Sequence, residues 1–200
     1  MYKQSIVRTC LGILIVAFAL AGCSGMMAKP TESNFKAPVV ALDHVEVAHY
    51  WGWWYYAKKV EPTKGAAGDY GAPLDLAFIF NIENPNDFPV KMESLKFTIA
   101  FEEFDLNTVD STETMWVPAG KSNQLRVHAM FDGRQSLLSL MVTGGFKLKE
   151  KGIGAFDQLE KWWTTIPEFA FPIYVKEGAA VFDADGLIKV VNFNATFPAQ

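Results

Sequence analysis

Leu74-Asp75-Leu76-Ala77-Phe78-Ile79-Phe80-Asn81 alternates without a break, and Ile82-Glu83-Asn84-Pro85-Asn86-Asp87-Phe88-Pro89-Val90 follows it into a turn. A side-chain period of two is the mark of a half-buried strand. Leu74, Leu76, Phe78 and Phe80 share one face, while Asp75, Ala77, Ile79 and Asn81 share the other. Pro85 fixes its own φ and pushes Asn84 into an extended conformation, so the strand ends there. Asn86 is suited to folding its side chain back onto the backbone as an Asx turn.

The same rhythm recurs on both sides of this stretch. Val39 to Ala48 sets Val45 and Val47 against His44 and Glu46. Leu95, Phe97, Ile99 and Phe101 alternate with polar neighbours, as do Leu125, Val127, Ala129 and Phe131. Phe169, Phe171, Ile173 and Val175 repeat the device, and Val191, Phe193, Ala195 and Phe197 close it. Pro118-Ala119-Gly120 and Asp185-Gly186 supply turn chemistry, the latter a strong hairpin signal because both residues tolerate positive φ. Gln135 to Val142 and Phe156 to Trp163 instead fit short amphipathic helices. Gly144, Gly145, Gly152 and Gly154 are expected to break the chain between them. The pattern predicts a mainly β chain, an antiparallel β-sandwich with a short helical insertion over residues 39–200.

Residues 1–22 carry the three parts of an export leader. Lys3 and Arg8 give a positive start, Leu11 to Leu20 is almost wholly apolar, and small residues follow. The run falls short of the ~20 apolar residues that span a bilayer. Leu20-Ala21-Gly22-Cys23 resembles a bacterial lipobox, in which a cysteine thiol takes a diacylglyceryl group. That resemblance implies lipidation at Cys23, palmitate among the acyl chains, and removal of the leader. Ser24 stands where an Asp tends to retain lipoproteins at the inner membrane, which implies an outer-membrane, periplasm-facing, lipid-anchored protein. Residues 23–38, small and polar with prolines, then read as a lipidated tether, about 55 Å long if fully extended. Without Lys3 and Arg8 the chain keeps 16 basic against 22 acidic residues, a net charge of about −6. That balance disfavours nucleic acid as a partner. Cys10 leaves with the leader and Cys23 is consumed, so no disulfide is expected.

Asn84-Pro85-Asn86, Phe88-Pro89-Val90, the strand Leu95 to Phe101 and the later Pro118-Ala119-Gly120 together resemble the late-embryogenesis-abundant type 2 proteins and their water-stress and hypersensitive-response (WHy) domain. The resemblance covers roughly residues 40 to 145. It implies a fibronectin-type-III-like or immunoglobulin-like sandwich, no enzymatic activity, and a role in stress protection. Two stretches depart from that family, Tyr50 to Pro73 and about Gly144 to Glu168.

Trp51, Trp53, Trp54, Tyr55 and Tyr56, followed by Lys58 and Lys59, form the most unusual segment. Such rings suit packing over a sandwich edge, contact with a membrane or partner, or a small-molecule pocket. Trp162 and Trp163 are expected to cap the core. His44 and His49, an odd number apart on one strand, are expected on opposite faces, unsuited to a shared metal. Glu102, Glu103 and Asp105 read as a solvated strand end. The chain shows no nucleophile elbow, zinc-binding His-Glu-x-x-His or phosphate loop, and neither a cofactor nor a metal is called for. Three functions remain: a protective or scaffolding module at the envelope, a lipid-binding or lipid-transfer module, and a periplasmic hydrolase. The first is the leading expectation.

Overall fold

The computed structural model describes residues 28–53 and 72–198. The leader, Cys23, and Trp54, Tyr55 and Tyr56 lie outside the described residues. The chain forms two antiparallel sheets stacked as a β-sandwich, with helices packed at one end. The strands are β1 (Val39–Tyr50), β2 (Leu74–Glu83), β3 (Val90–Phe101), β4 (Phe104–Ser111), β5 (Met115–Val117), β6 (Ser122–Phe131), β7 (Ile173–Ala184) and β8 (Leu187–Phe197). One sheet runs β1-β2-β6. The other runs β4-β3-β7-β8, with β5 also paired to β3.

The alternation in β2 places Leu74, Leu76, Phe78, Phe80 and Ile82 wholly inside. Phe97 on β3 meets them edge-on, 5.2 Å from both Phe78 and Phe80 between ring centroids. Such aromatic pairs contribute about 0.5–1.5 kcal/mol beyond the burial of their area. The hairpin expected at Asp185-Gly186 joins β7 to β8, with φ of 53° and 85° at the two residues.

Several expectations need correction. The strand read at Phe169 to Val175 starts only at Ile173 and runs on to Ala184. Phe169 sits at a positive φ of 49°, ending a 3-10 turn, and Phe171 is buried just before the strand. β4 and β5 were not anticipated. In β4 only Phe104 and Leu106 are buried, so this edge strand has weak alternation to read. The segment read as a tether up to Pro38 is docked from Thr31 onward. A turn over Thr31–Asn34 delivers Phe35 into the core, where it meets Phe88 edge-on at 6.0 Å.

The two expected helices are α1 (Gly133–Lys151) and α2 (Ala155–Thr165). Asp132 caps α1 by accepting from the backbone N–H groups of Arg134 and Gln135. Gly152, at φ 67°, ends it, and Gly154 starts α2. Gly144 and Gly145, however, do not break the chain. α1 runs through both, and Gly144 lies against the Phe104 ring, where an added Cβ would stand 2.5 Å from Cδ1. A Cβ on Gly145 would meet nothing within 4 Å.

These two neighbours should therefore respond oppositely to one change. Gly144→Ala is expected to destabilise by about 1–3 kcal/mol through overpacking, outweighing its helix-propensity gain. Gly145→Ala should stabilise by up to ~1 kcal/mol. Urea unfolding of both variants measures the difference.

Candidate functional site: two poles of the sandwich

The first pole is built around the Asn-Pro-Asn turn. It joins β2 to β3 and so crosses from one sheet to the other, as Pro118-Ala119-Gly120 does between β5 and β6. The buried Asn84 amide nitrogen donates to the carbonyls of Phe88 (2.8 Å), Val117 (3.0 Å) and Pro118 (3.1 Å). Its Oδ1 accepts from the backbone N–H and side-chain amide of Asn86. The Asn84 backbone N–H reaches the Lys121 carbonyl, and Gly120 N–H reaches the Asn86 carbonyl, both at 2.9 Å. Two sheet-to-sheet crossings are thus stitched through one side chain. Asn86 also holds the incoming chain, accepting from Lys36 N–H (2.7 Å) and donating to its carbonyl (2.9 Å). Lys189 adds a bond to the Phe35 carbonyl.

The second pole carries the aromatics and helices. Trp162 and Trp163 are fully buried and cap the core, as expected. The Trp163 indole donates to the Ala72 carbonyl at 2.8 Å, and the Tyr50 hydroxyl donates to the Trp163 carbonyl. Burial pushes the Tyr50 phenol up, only partly opposed by a backbone hydrogen bond from Trp53. Of the aromatic run, Trp53 is 5% exposed and packs 5.1 Å from Phe156, whereas Trp51 is 43% exposed. Trp53 thus follows the packing reading, while Trp51 lies against His49 on the surface.

Glu102, Glu103 and Asp105 are not a bare solvated edge. Glu102, at φ 53° in the β3–β4 turn, accepts from Gln158 (2.9 Å), Lys161 (2.6 Å) and the Trp162 indole (3.3 Å). Glu103 pairs with Lys151, which holds its carboxyl below the usual range, and Asp105 pairs with Lys176. The turn thereby fastens both helices. A mixed-charge cleft of about 410 Å³, lined by Glu102, Glu103, Lys151, Lys161 and Tyr174 among others, opens beside it.

His44 and His49 were expected on opposite faces, but they share the outer one. Register shifts at Leu42/His44 and Val47/His49 mark bulges in β1, and the second restores His49 to the side that His44 occupies. His44 bonds Glu46 and Asp43, and Glu46 also pairs with Arg126. His128 bonds Asp75 at 2.8 Å on the same face. Among the described residues no group of three or more His, Cys, Asp or Glu could hold a metal ion. Sequence reasoning placed His44 and Glu46 on one polar face but missed that His49 joins them, because the bulges leave no compositional trace.

No protein-family model matches the chain, and no curated protein matches it. Among solved structures, it resembles a protein from Archaeoglobus fulgidus at 12% identity and a TM-score of 0.41, over 78% of this chain and 94% of that one. It also resembles a Northeast Structural Genomics Consortium target at 10% identity and a TM-score of 0.42, over 80% and 84%.

Two outcomes follow from this chemistry. Asn84→Asp would set a carboxylate against three carbonyls that now receive hydrogen bonds. Unfolding in urea should show a loss of about 2–4 kcal/mol, since each unmet buried group costs ~1–3 kcal/mol. The second concerns pH. Glu46 first, then Asp43, holds the His44 imidazole above its usual value, so the contribution of His44 is full below the ordinary histidine range and fades as pH rises through the raised value. His44, then Arg126, holds Glu46 below its usual value, so the contribution of Glu46 is lost as pH falls through that lowered value. Between about pH 6 and pH 8 the parent should lose stability relative to His44→Gln, measured by parallel urea titrations.

Proposed function

We propose that this chain is a non-enzymatic, lipid-anchored envelope protein whose sandwich protects or scaffolds, with Cys23 as its acylated residue. The observation that carries the reading is Leu20-Ala21-Gly22-Cys23 closing a leader of positive start and apolar run. A single acyl chain binds membranes only marginally, and the multiple chains of a lipoprotein make attachment lasting. The resemblance to type 2 late-embryogenesis-abundant proteins supports the protective role, and the Asn-Pro-Asn turn that carries it is a structural knot rather than a binding site.

The docked segment sharpens this picture. With Phe35 and Lys36 fixed on the domain and the Lys29 carbonyl bonded to Asn34, the eight residues from Cys23 to Pro30 can span at most about 26–29 Å. The domain is therefore held against the outer-membrane inner leaflet rather than free across the periplasm. A lipid-carrier reading would set Trp53 and Trp163 along an apolar groove. Both are instead buried, Trp53 packed on Phe156 and Trp163 bonded to Ala72, which favours the protective module.

Cells fed radiolabelled palmitate should label the parent chain and not Cys23→Ala, which accumulates with its leader. A strain lacking the protein should be sensitised to envelope stress, with rescue by the parent and not by Cys23→Ala. An unlabelled parent chain refutes the anchor, and an unaffected deletion strain refutes the protective role.

A further inference from the structure

The outer positions of β8, read from the docked segment toward the helices, are Ile188, Val190, Asn192, Asn194 and Thr196. The solvated face of an antiparallel sheet is ordinarily polar along its length. Here only the far three positions are, while Ile188 and Val190 stand 60% and 58% exposed. β7 follows the same trend, with Val181 opposite Val190. One rung across the sheet runs Trp116, Lys91, Asp183 and Ile188, which sets Trp116, 57% exposed, on the same face. The Trp116 indole N–H meets no acceptor among the described residues. The charges in that rung are already engaged, Lys91 with Glu93 at 2.9 Å and Asp183 with the Gly186 N–H. The outer face of the other sheet differs at this end. Its two rungs are Val39, Glu83, Ser122 and Ala41, Asn81, Gln124, mostly polar. The outward side of α1 carries a second apolar stripe, Leu138, Met141, Val142 and Phe146. α1 packs on β4, however, at the far edge and the far end from the docked segment.

We infer that this corner of the sheet, formed by Trp116, Val181, Ile188 and Val190, rests on the headgroup layer of a phospholipid bilayer. The inference rests on the lipid-anchor reading and adds to it the face that meets the membrane. The course of the chain brings lipid here. Lys189 bonds the Phe35 carbonyl and lies over the Phe35 ring, so the segment leading back to Cys23 is fastened to β8 between Ile188 and Val190. Their Cα atoms stand about 3.8 Å to either side of that of Lys189. Trp116 lies three strand spacings away, about 14 Å. The eight residues from Cys23 to Pro30, at about 26–29 Å, reach that far. The helical end of the sandwich, about 36 Å away along β1, lies beyond them. The residue types suit the headgroup layer. An indole sits at its apolar boundary with the N–H turned to a phosphate or carbonyl oxygen, and three branched aliphatic side chains leave water beside it. A second copy of the chain fits poorly. The face measures about 7 Å by about 14 Å between Cα positions, far below the ~800 Å² per partner of a stable pair even with side-chain margins. A bilayer needs no such area, because the anchor already holds this corner at high effective concentration.

The test places a photocrosslinking benzoylphenylalanine at Ile188 and separately at Val190. Comparison sites are Gln124, on the outer face of the other sheet at the same end, and Val142 on α1. Each full-length protein is purified from cells and reconstituted in vesicles of phosphatidylethanolamine and phosphatidylglycerol. The expected result is a phospholipid adduct at positions 188 and 190 severalfold above positions 124 and 142. Equal lipid adducts at all four positions overturn the proposal, as do stronger adducts at position 124 or 142. An adduct of position 188 or 190 with a second copy or another protein overturns it too. The mass of the Cys23 peptide is read on the same samples. Acylation without adducts at positions 188 and 190 sinks the pose and leaves the anchor. An unacylated Cys23 refutes the anchor, and the pose falls with it.

Discussion

The Asn84 side chain is the constraint on which the rest of the sandwich depends. A sandwich must pass its chain between sheets, and each passage strands backbone groups that no ladder can satisfy. Here two passages come together, and one amide serves both, donating to Phe88 on its own corner and to Val117 and Pro118 on the other. Only an amide does this, because the same side chain must also accept from Asn86. A carboxylate has no donor, and an alanine leaves three carbonyls unmet. Once the corners are fixed, the separation of the sheets is fixed too, and the Phe78, Phe80 and Phe97 rings meet at their edge-on spacing.

The opposite pole uses charge for the same purpose. The helices bury Leu140, Leu148, Leu159, Trp162 and Trp163 against the core, and directional contacts fix their orientation. Glu102 supplies three of them to α2, and its positive φ turns the β3–β4 hairpin so that the carboxylate faces the helix. Trp162 then seals the core against Phe101 and Phe104. Gly144 lets α1 approach Phe104 closely enough to complete the cap.

Much of this was legible in the sequence where one physical rule acted alone. β2 alternates cleanly, Pro85 ends it, and Asp185-Gly186 accepts positive φ, so each was read correctly, whereas the Asx turn expected at Asn86 is made by Asn84, whose Oδ1 accepts from the Asn86 N–H. Misreadings fell where two rules share one signal. A glycine marks a break and also a close approach, and only the position of Phe104 tells which applies at Gly144. A strand keeps its parity until a bulge resets it, which is why the placement of His49 was wrong. β4 is an edge strand whose polar residues face outward, leaving two buried side chains as its whole signature. Phe35 was a single aromatic in a polar stretch, too little to announce a docked segment. Of the site residues, Trp162 and Trp163 were placed correctly as a cap, whereas the pairing of Glu102 with α2 required knowing which helix lay above the turn.

The two poles also explain why α1 tolerates a composition that would ordinarily be unstable. A helix with apolar residues on two opposite sides is ordinarily covered on both. α1 is held on one side by a narrow row of small and aliphatic residues, with two glycines that each cost helix stability of up to ~1 kcal/mol. Its caps, its lysines on Glu103 and its contact with Phe104 offset that cost without using the outward stripe.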